Sequence, residues 1–499
     1  MNTQKNNRRD FIRQTSILAA GLSVMPSLLQ SCSGKKSKPN LLFIFADQFR
    51  RASLGFLQED PVYTPHIDKL AANGVFFSRA FANHPLCSPF RGMLLSGKYP
   101  LSNGVVANCH SGRTVYGNYL KKEEVCFSDV LANNGYSAGY VGKWHLDGPA
   151  PTAPGEELVW DSWCPPDHRH GFSFWHAYGT HNRHNNPYYW TTHAREDEIT
   201  YVDQWSPEHE AEVIMDYLEN NANQREPEKP FALFWGINPP HTPFREVPER
   251  YKKRYEGKSY TDLLNRPNVN IDGNPALQAL GVGDHGVEQQ IVEAPDYFAA
   301  VNGVDDQIGR VISKLKEKGL YDNTIIVFTS DHGEMLGSQG LMHKNIWFKE
   351  ATDIPLIVHW PDRLKPRTEE ILISVPDYMP TFLGLMDLHD QLPDKLEGKD
   401  YSGIFFDQTV EYPDCQLYFG SEPDAPSTGK RGIRTEAYTY VEVKDLKGEK
   451  HYFLYDDLND QFQLENIYGK NPQLDQQLGQ RLQQLLITLN DPWVTPAEG

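Results

Sequence analysis

Asn40-Leu41-Leu42-Phe43-Ile44-Phe45-Ala46-Asp47-Gln48 is an apolar run that stops at two polar side chains. A strand covered on both faces shows no polar side, so it reads as continuous and not alternating hydrophobicity. Four more runs of this kind follow, at 137–142, 231–237, 324–330 and 355–360. Helix-patterned stretches lie between them at 64–73, 127–134, 208–220 and 299–318, the last stopping at Gly319. Strand alternating with helix predicts an α/β fold around a mostly parallel sheet.

Past residue 391 the pattern changes. Short hairpin-like strands at 416–419, 432–434, 438–443 and 451–455 are separated by turns rich in Gly, Asp and Lys, and a helix at 471–489 follows. This predicts a main domain over 40–391 and a smaller antiparallel subdomain over 392–499 packed on it. Residues 149–200, rich in Pro, His and Trp and without a clear period, read as a long insertion or loop.

The N-terminus reads as a leader. Asn7-Arg8-Arg9-Asp10-Phe11-Ile12-Arg13 resembles a twin-arginine export signal, and the apolar stretch 17–29 is too short to span a bilayer. Leu28-Leu29-Gln30-Ser31-Cys32 resembles a lipoprotein cleavage box, so 1–32 is expected to be removed up to an acylated Cys32, with 33–39 as a tether. The expected location is periplasmic or cell-surface, as a membrane-anchored lipoprotein.

The 499 residues, 39% hydrophobic and 12% aromatic, describe an ordinary globular chain. A formal charge of -18 with no long basic stretch argues against a nucleic-acid or anionic-membrane partner. An anionic substrate would therefore need positive charge gathered locally. Cys109, Cys126, Cys164 and Cys415 lack metal-type spacing, leaving one or two disulfides or buried thiols.

Ligands of open α/β sheets bind at the carboxyl ends of the strands. Here those ends deliver Asp47-Gln48, Lys143-Trp144-His145, Asn238 to His241, and Asp331-His332-Gly333. A polar residue at one loop start is unremarkable, but four such ends indicate a site. Asp47 and Asp331, with the Gln48 carbonyl, suit a hard divalent cation, calcium better than zinc. Asp305-Asp306 lie inside a helical pattern and read as a solvated face or local ion pair.

Cys87-Ser88-Pro89-Phe90-Arg91 reads as a helix entry with Arg91 one turn beyond Cys87, in a field that favours anions. With 6 Cys and 35 Pro in the chain, Cys-x-Pro-x-Arg has a chance expectation of about 0.02 occurrences. This segment, followed by Leu94-Leu95-Ser96-Gly97, resembles the sulfatase signature. The resemblance continues through Gly142 to His145, Pro240-His241-Thr242-Pro243, Thr329 to Gly333 and His343-Lys344, and covers most of 39–385.

The resemblance implies an alkaline-phosphatase-like α/β/α sandwich and a calcium-dependent sulfuric ester hydrolase. It implies that a separate maturation enzyme oxidises Cys87 to formylglycine, whose hydrate attacks sulfur and then expels sulfate. Asp47, Gln48, Asp331 and His332, with the side chain derived from Cys87, would hold Ca2+; Arg91, Lys143 and Lys344 would neutralise the sulfuryl oxygens. His241 would protonate the leaving alcohol and His145 would assist the hydrate. Gln48, where Asp is frequent, and His332, where Asn is frequent, depart from the common pattern. His170, Trp175, His176 and His181 are candidate contacts to a sulfated carbohydrate, a polysaccharide or host glycan. The alternatives are a phosphodiesterase or phosphonate monoester hydrolase of the same superfamily, and a non-catalytic glycan-binding lipoprotein.

Overall fold

The computed structural model describes residues 38–280 and 286–494. The expected export signal, Cys32 and most of the tether lie outside them. Fourteen strands are present among the described residues: β1 Asn40–Ala46, β2 Val75–Phe77, β3 Ser137–Lys143, β4 Phe174–Tyr178, β5 Tyr188–Thr191, β6 Thr200–Tyr201, β7 Phe231–Ile237, β8 Thr324–Ser330, β9 Leu356–His359, β10 Arg367–Glu369, β11 Cys415–Glu422, β12 Ala425–Thr435, β13 Tyr438–Lys444 and β14 Lys450–Asp456.

The first ten form one sheet in the order β10-β2-β9-β8-β1-β7-β3-β4-β5-β6. Its centre, β8-β1-β7-β3-β4, is parallel. The alternation of β1 explains the sandwich. Leu41, Phe43 and Phe45 face one layer, containing Met93, Phe127 and Phe382, while Leu42, Ile44 and Ala46 face the other, containing Ile67, Ile214 and Val304. These layers carry the helices Cys87–Ser96, Phe127–Asn133 and Tyr378–Leu385 on the first face and Pro65–Ala72, Ser206–Glu219 and Ala294–Glu317 on the second. An α/β/α sandwich results.

Three expectations change. The run at 355–360 is a strand, but β9 lies antiparallel to β8, so the sheet is mixed. Of the two readings of residues 149–200, the loop gives way to an insertion with strands of its own: β4 and β5, with β6 beginning at Thr200, extend the sheet's edge. All five residues of β4, Phe174-Trp175-His176-Ala177-Tyr178, are buried, and their large rings hide the period on which a strand reading rests. Asp305 is neither solvated nor ion-paired; its carboxylate accepts from the backbone N–H groups of His66 (3.2 Å) and Ile67 (2.7 Å) at the start of the helix Pro65–Ala72. Cys109, Cys126, Cys164 and Cys415 are free and buried thiols.

Strands β11 to β14 form a separate antiparallel sheet. One face, with Leu417, Ile433 and Leu454, packs on Leu478, Leu482 and Leu486 of the helix Pro472–Thr488. The other, with Tyr418, Val441 and Val443, packs on Phe81, Leu341 and Trp347 of the catalytic layer. No helix among the described residues is long and apolar enough to cross a membrane.

Candidate active site

The parallel strands bring their C-terminal ends together, and the helix Cys87–Ser96 points its first residue at the same place. That helix is buried along its whole length and ends where Gly97 takes a left-handed conformation, φ 64°. Its start is tied to the end of β3, because Ser88 Oγ donates to the His145 carbonyl at 2.7 Å. Strand β3 itself can approach β7 only through Gly142 (φ 97°), where a Cβ would lie 2.3 Å from the Gly236 carbonyl oxygen.

Asp47, at the end of β1, is the hub. Its Oδ2 accepts from Lys143 Nζ at 2.7 Å and Arg91 Nη2 at 3.3 Å, and its Oδ1 lies 3.6 Å from Cys87 Sγ. Burial alone would raise its pKa; Lys143 above all outweighs burial and holds the carboxyl well below the usual range. Arg91 Nη2 also reaches Asp331 Oδ2 at 3.7 Å. Lys143 Nζ makes a second bond, 3.1 Å, to Asn238 Oδ1.

Asp331 sits in the opposite electrostatic situation. Its Oδ1 accepts from the backbone N–H groups of Gln48 and His332, but Oδ2 is buried without a hydrogen-bond partner. Burial, with the nearby Asp47 charge, pushes its carboxyl up to about 7. His332 donates Nδ1–H to the Gly333 carbonyl at 2.9 Å, which leaves the Nε2 lone pair facing Cys87 Sγ (3.4 Å), Asp47 Oδ1 (3.5 Å) and Asp331 Oδ1 (3.5 Å). One ligand atom from each of Asp47, Cys87, Asp331 and His332 falls within 4.8 Å of the others. Gln48, also left-handed at φ 68°, turns its side-chain oxygen toward the Lys344 ammonium.

Two further histidines, His241 and His145, are buried close to these groups. His241 donates Nδ1–H to the Thr242 carbonyl at 2.8 Å, and its Nε2 accepts from Lys344 Nζ at 2.7 Å. One proton is therefore shared between an imidazole and an amine. Burial, then Lys344 and Lys143, hold His241 well below its ordinary value. His145 is buried with neither ring nitrogen hydrogen-bonded, and burial, then Lys143 and Arg91, keep it neutral.

The molecule is similar to known proteins over nearly its full length. The sulfatase family model matches residues 39–388, and a model for the C-terminal part of N-sulphoglucosamine sulphohydrolase matches 337–490. An endo-4-O-sulfatase of Bacteroides thetaiotaomicron is 36% identical, covering 92% of this chain and 93% of its own. The chain belongs to the sulfatase family. An ulvan-active sulfatase of Formosa agariphila is 32% identical, with 90% and 82% covered. A solved Bacteroides thetaiotaomicron structure, described with the metabolism of multiple glycosaminoglycans, superposes with a TM-score of 0.83 at 35% identity, covering 92% of this chain and 98% of that one. The phosphonate monoester hydrolase of Agrobacterium radiobacter shares the fold, with a TM-score of 0.70 at 22% identity.

In this sulfatase the ten residues read at the strand ends and in the Cys87 segment, Asp47, Gln48, Cys87, Arg91, Lys143, His145, His241, Asp331, His332 and Lys344, surround one spot. The residues read as substrate contacts do not. Trp175 is 1% exposed and stacks on Tyr140, ring centroids 5.4 Å apart, so it has no face for a sugar. His170 is buried against Asp129 (3.4 Å), and His176 is bonded to His209 at 2.9 Å. His181 stacks on Tyr178 and bonds the Tyr188 carbonyl; its own backbone carbonyl accepts from Asn238, so it supports the site from behind. Two residues escape a reading by strand ends. Buried Glu334 takes the Gln48 amide and the backbone N–H groups of Leu336 and His343; its place three residues past Asp331 was the available signal. Trp160 is 48% exposed and packs its ring on His110 at 4.9 Å, beside the loop that bonds Ser88 through Asn108 and Cys109.

Proposed function

We propose that this sulfatase removes sulfate from a sulfated carbohydrate, with a formylglycine made from Cys87 and a Ca2+ ion. One observation carries the reading: Cys87 lies between a carboxylate–imidazole cluster and a wall of three cations, Arg91, Lys143 and Lys344. Names of relatives support the carbohydrate, since endo-4-O-sulfatase and ulvan-active sulfatase are similar over most of their length.

The residues fit a divalent cation. Asp331 Oδ2, buried without a hydrogen bond, the Asp47 carboxylate and an imidazole lone pair aimed at both form a donor set of the kind a divalent cation takes. Asp47, Asp331, Gln48 and His332 would hold Ca2+, which supplies Lewis-acid polarisation of a sulfuryl oxygen when bound. Oxidation of Cys87 by a separate maturation enzyme would supply an aldehyde hydrate, a nucleophile with a second hydroxyl for releasing sulfate.

The chain's own side chains do the rest. Arg91 and Lys143, pinned by Asp47, present fixed positive charge to the sulfuryl oxygens without reorganisation. The proton shared by Lys344 and His241 is placed for the departing alcohol oxygen, and the unpaired His145 ring is free to take one from the nucleophile. The leader motifs support export and anchoring through Cys32. Matched aryl sulfate and aryl phosphodiester substrates test the reaction: faster turnover of the sulfate is expected, and preference for the phosphorus ester would overturn it.

A further inference from the structure

The small sheet reaches the active site with one charged side chain that the chemistry above does not use. Side chains two apart on a strand share a face, so Lys430, Gly432 and Arg434 of β12 point the same way. Gly432 pairs with Tyr418 and Val441, both packed on the catalytic layer, so that is the direction. Two buried cations thus face the catalytic unit from neighbouring positions.

Their surroundings differ. Arg434 is neutralised by Asp353 at 3.0 Å and Asp457 at 3.4 Å. Lys430, 8% exposed, has no carboxylate within ion-pair distance among the described residues; its Nζ donates to the Asn345 backbone carbonyl at 2.8 Å. Burial lowers its pKa to about 8, outweighing the opposing pull of the Glu422 charge. A buried ammonium without a directly paired carboxylate is costly, and the fold nevertheless makes room for it. The facing position is Gly420, where a Cβ would come within 3.3 Å of the lysine stem, and the strand is bent there by a register shift at Ser421/Glu422 opposite left-handed Gly429.

The bond to Asn345 ties Lys430 to the segment that carries Lys344. Asn345 follows Lys344, and both are partly exposed. The Asn345 backbone N–H donates to the Pro85 carbonyl at 3.0 Å, two residues before Cys87. His84 lies close enough to both Lys430 and His332 for their charges to interact, and burial, then Lys430 and Arg431, lower its buried ring to about 3.

We propose that Lys430 forms an anion subsite beside the reaction centre, binding a second negative group of the substrate while its sulfate ester is cleaved. Resting on the carbohydrate-sulfatase reading, this narrows the substrate to a sugar chain with an additional anion, either a carboxylate or another sulfate. Either group would replace the missing carboxylate, whereas a singly sulfated neutral sugar would leave the ammonium uncompensated. Lys430 does not touch the reacting atoms, so its contribution falls on KM more than on kcat.

The test uses the matured enzyme and three disaccharides with the same sulfate ester: one with a neighbouring uronate, its carboxyl-reduced counterpart, and that counterpart with a second sulfate. Wild-type enzyme is expected to favour one or both dianionic substrates by roughly tenfold or more in kcat/KM, as a charge-assisted bond implies. Whichever is favoured identifies the group. Lys430→Met should erase the preference through KM, Lys430→Arg should keep part of it, and Lys447→Met, on an exposed turn of the same sheet, should keep all of it. Equal kcat/KM for all three substrates in wild type would overturn the subsite, even if Lys430→Met does not fold, and so would a preference that survives in Lys430→Met. Sulfate release from none of the three would overturn the carbohydrate reading and the subsite with it.

Discussion

Removing the Asp47 carboxylate would leave Lys143 and Arg91 buried side by side with nothing between them. Asp47→Asn is therefore expected to lower kcat/KM by at least roughly a hundredfold. It should also cost about 3–5 kcal/mol of stability, because breaking a buried pair strands a charge. Denaturant unfolding beside steady-state kinetics checks both; a variant of normal stability would show that Asp47 is not the hub. The two tryptophans of the 149–200 segment separate in the same way. Trp175→Ala should cost about 3–5 kcal/mol as a core truncation, whereas Trp160→Ala should leave the unfolding midpoint nearly unchanged. At this scale the clustering of the ten residues was legible because strand ends and a rare Cys-x-Pro-x-Arg spacing marked it. That His170, Trp175, His176 and His181 pack away from that cluster was not, because His and Trp are as useful to an aromatic core as to a sugar. Only exposure separates Trp160 from Trp175.

Elements present these groups, and their joints are tight. Gly142→Ala would force β3 away from the Gly236 carbonyl and displace Lys143, the next residue. Beneath that joint, Glu210 of the helix Ser206–Glu219 is fully buried, accepting from Tyr189 OH at 3.0 Å and Trp235 Nε1 at 2.8 Å. Burial raises its pKa from 4.5 to about 8. The folded state thus keeps this proton longer than the unfolded state, so its contribution to stability is complete below about pH 4.5 and is lost as pH rises to about 8. Glu210→Gln should therefore gain stability relative to wild type between about pH 5 and about pH 9, read as the difference in thermal midpoint at each pH. A constant difference would show that Glu210 does not titrate there. The continuous apolar runs announced β1, β7 and β8 to the residue, since only burial on both faces produces them. Period alone says nothing of direction, which is why β9 turns out antiparallel; the edge strands β4 to β6 are too short and aromatic to show a period.

For the whole molecule, the small sheet packs on the large one beside the Cys87 cluster, and β12 touches the segment after Lys344 through Lys430. The paired carboxylates would make a bound cation a structural element as well. Without it, Asp331 is pushed up to about 7, so folding opposes its ionisation and stability falls as pH rises toward that value. A bound cation removes the penalty. Added Ca2+ should therefore raise the thermal midpoint of chelator-treated enzyme, more at about pH 7.5 than at about pH 5. A stabilisation that does not grow with pH would place the ion elsewhere.

Sulfate-ester hydrolysis is predicted to run through the side chain at position 87. Its direct measurement is sulfate release by matured wild-type enzyme and by Cys87→Ala at equal concentration. Loss of at least roughly a thousandfold in rate is predicted, with the wild-type Cys87 peptide lighter by the conversion of its thiol to an aldehyde. An unchanged rate in Cys87→Ala would contradict the account.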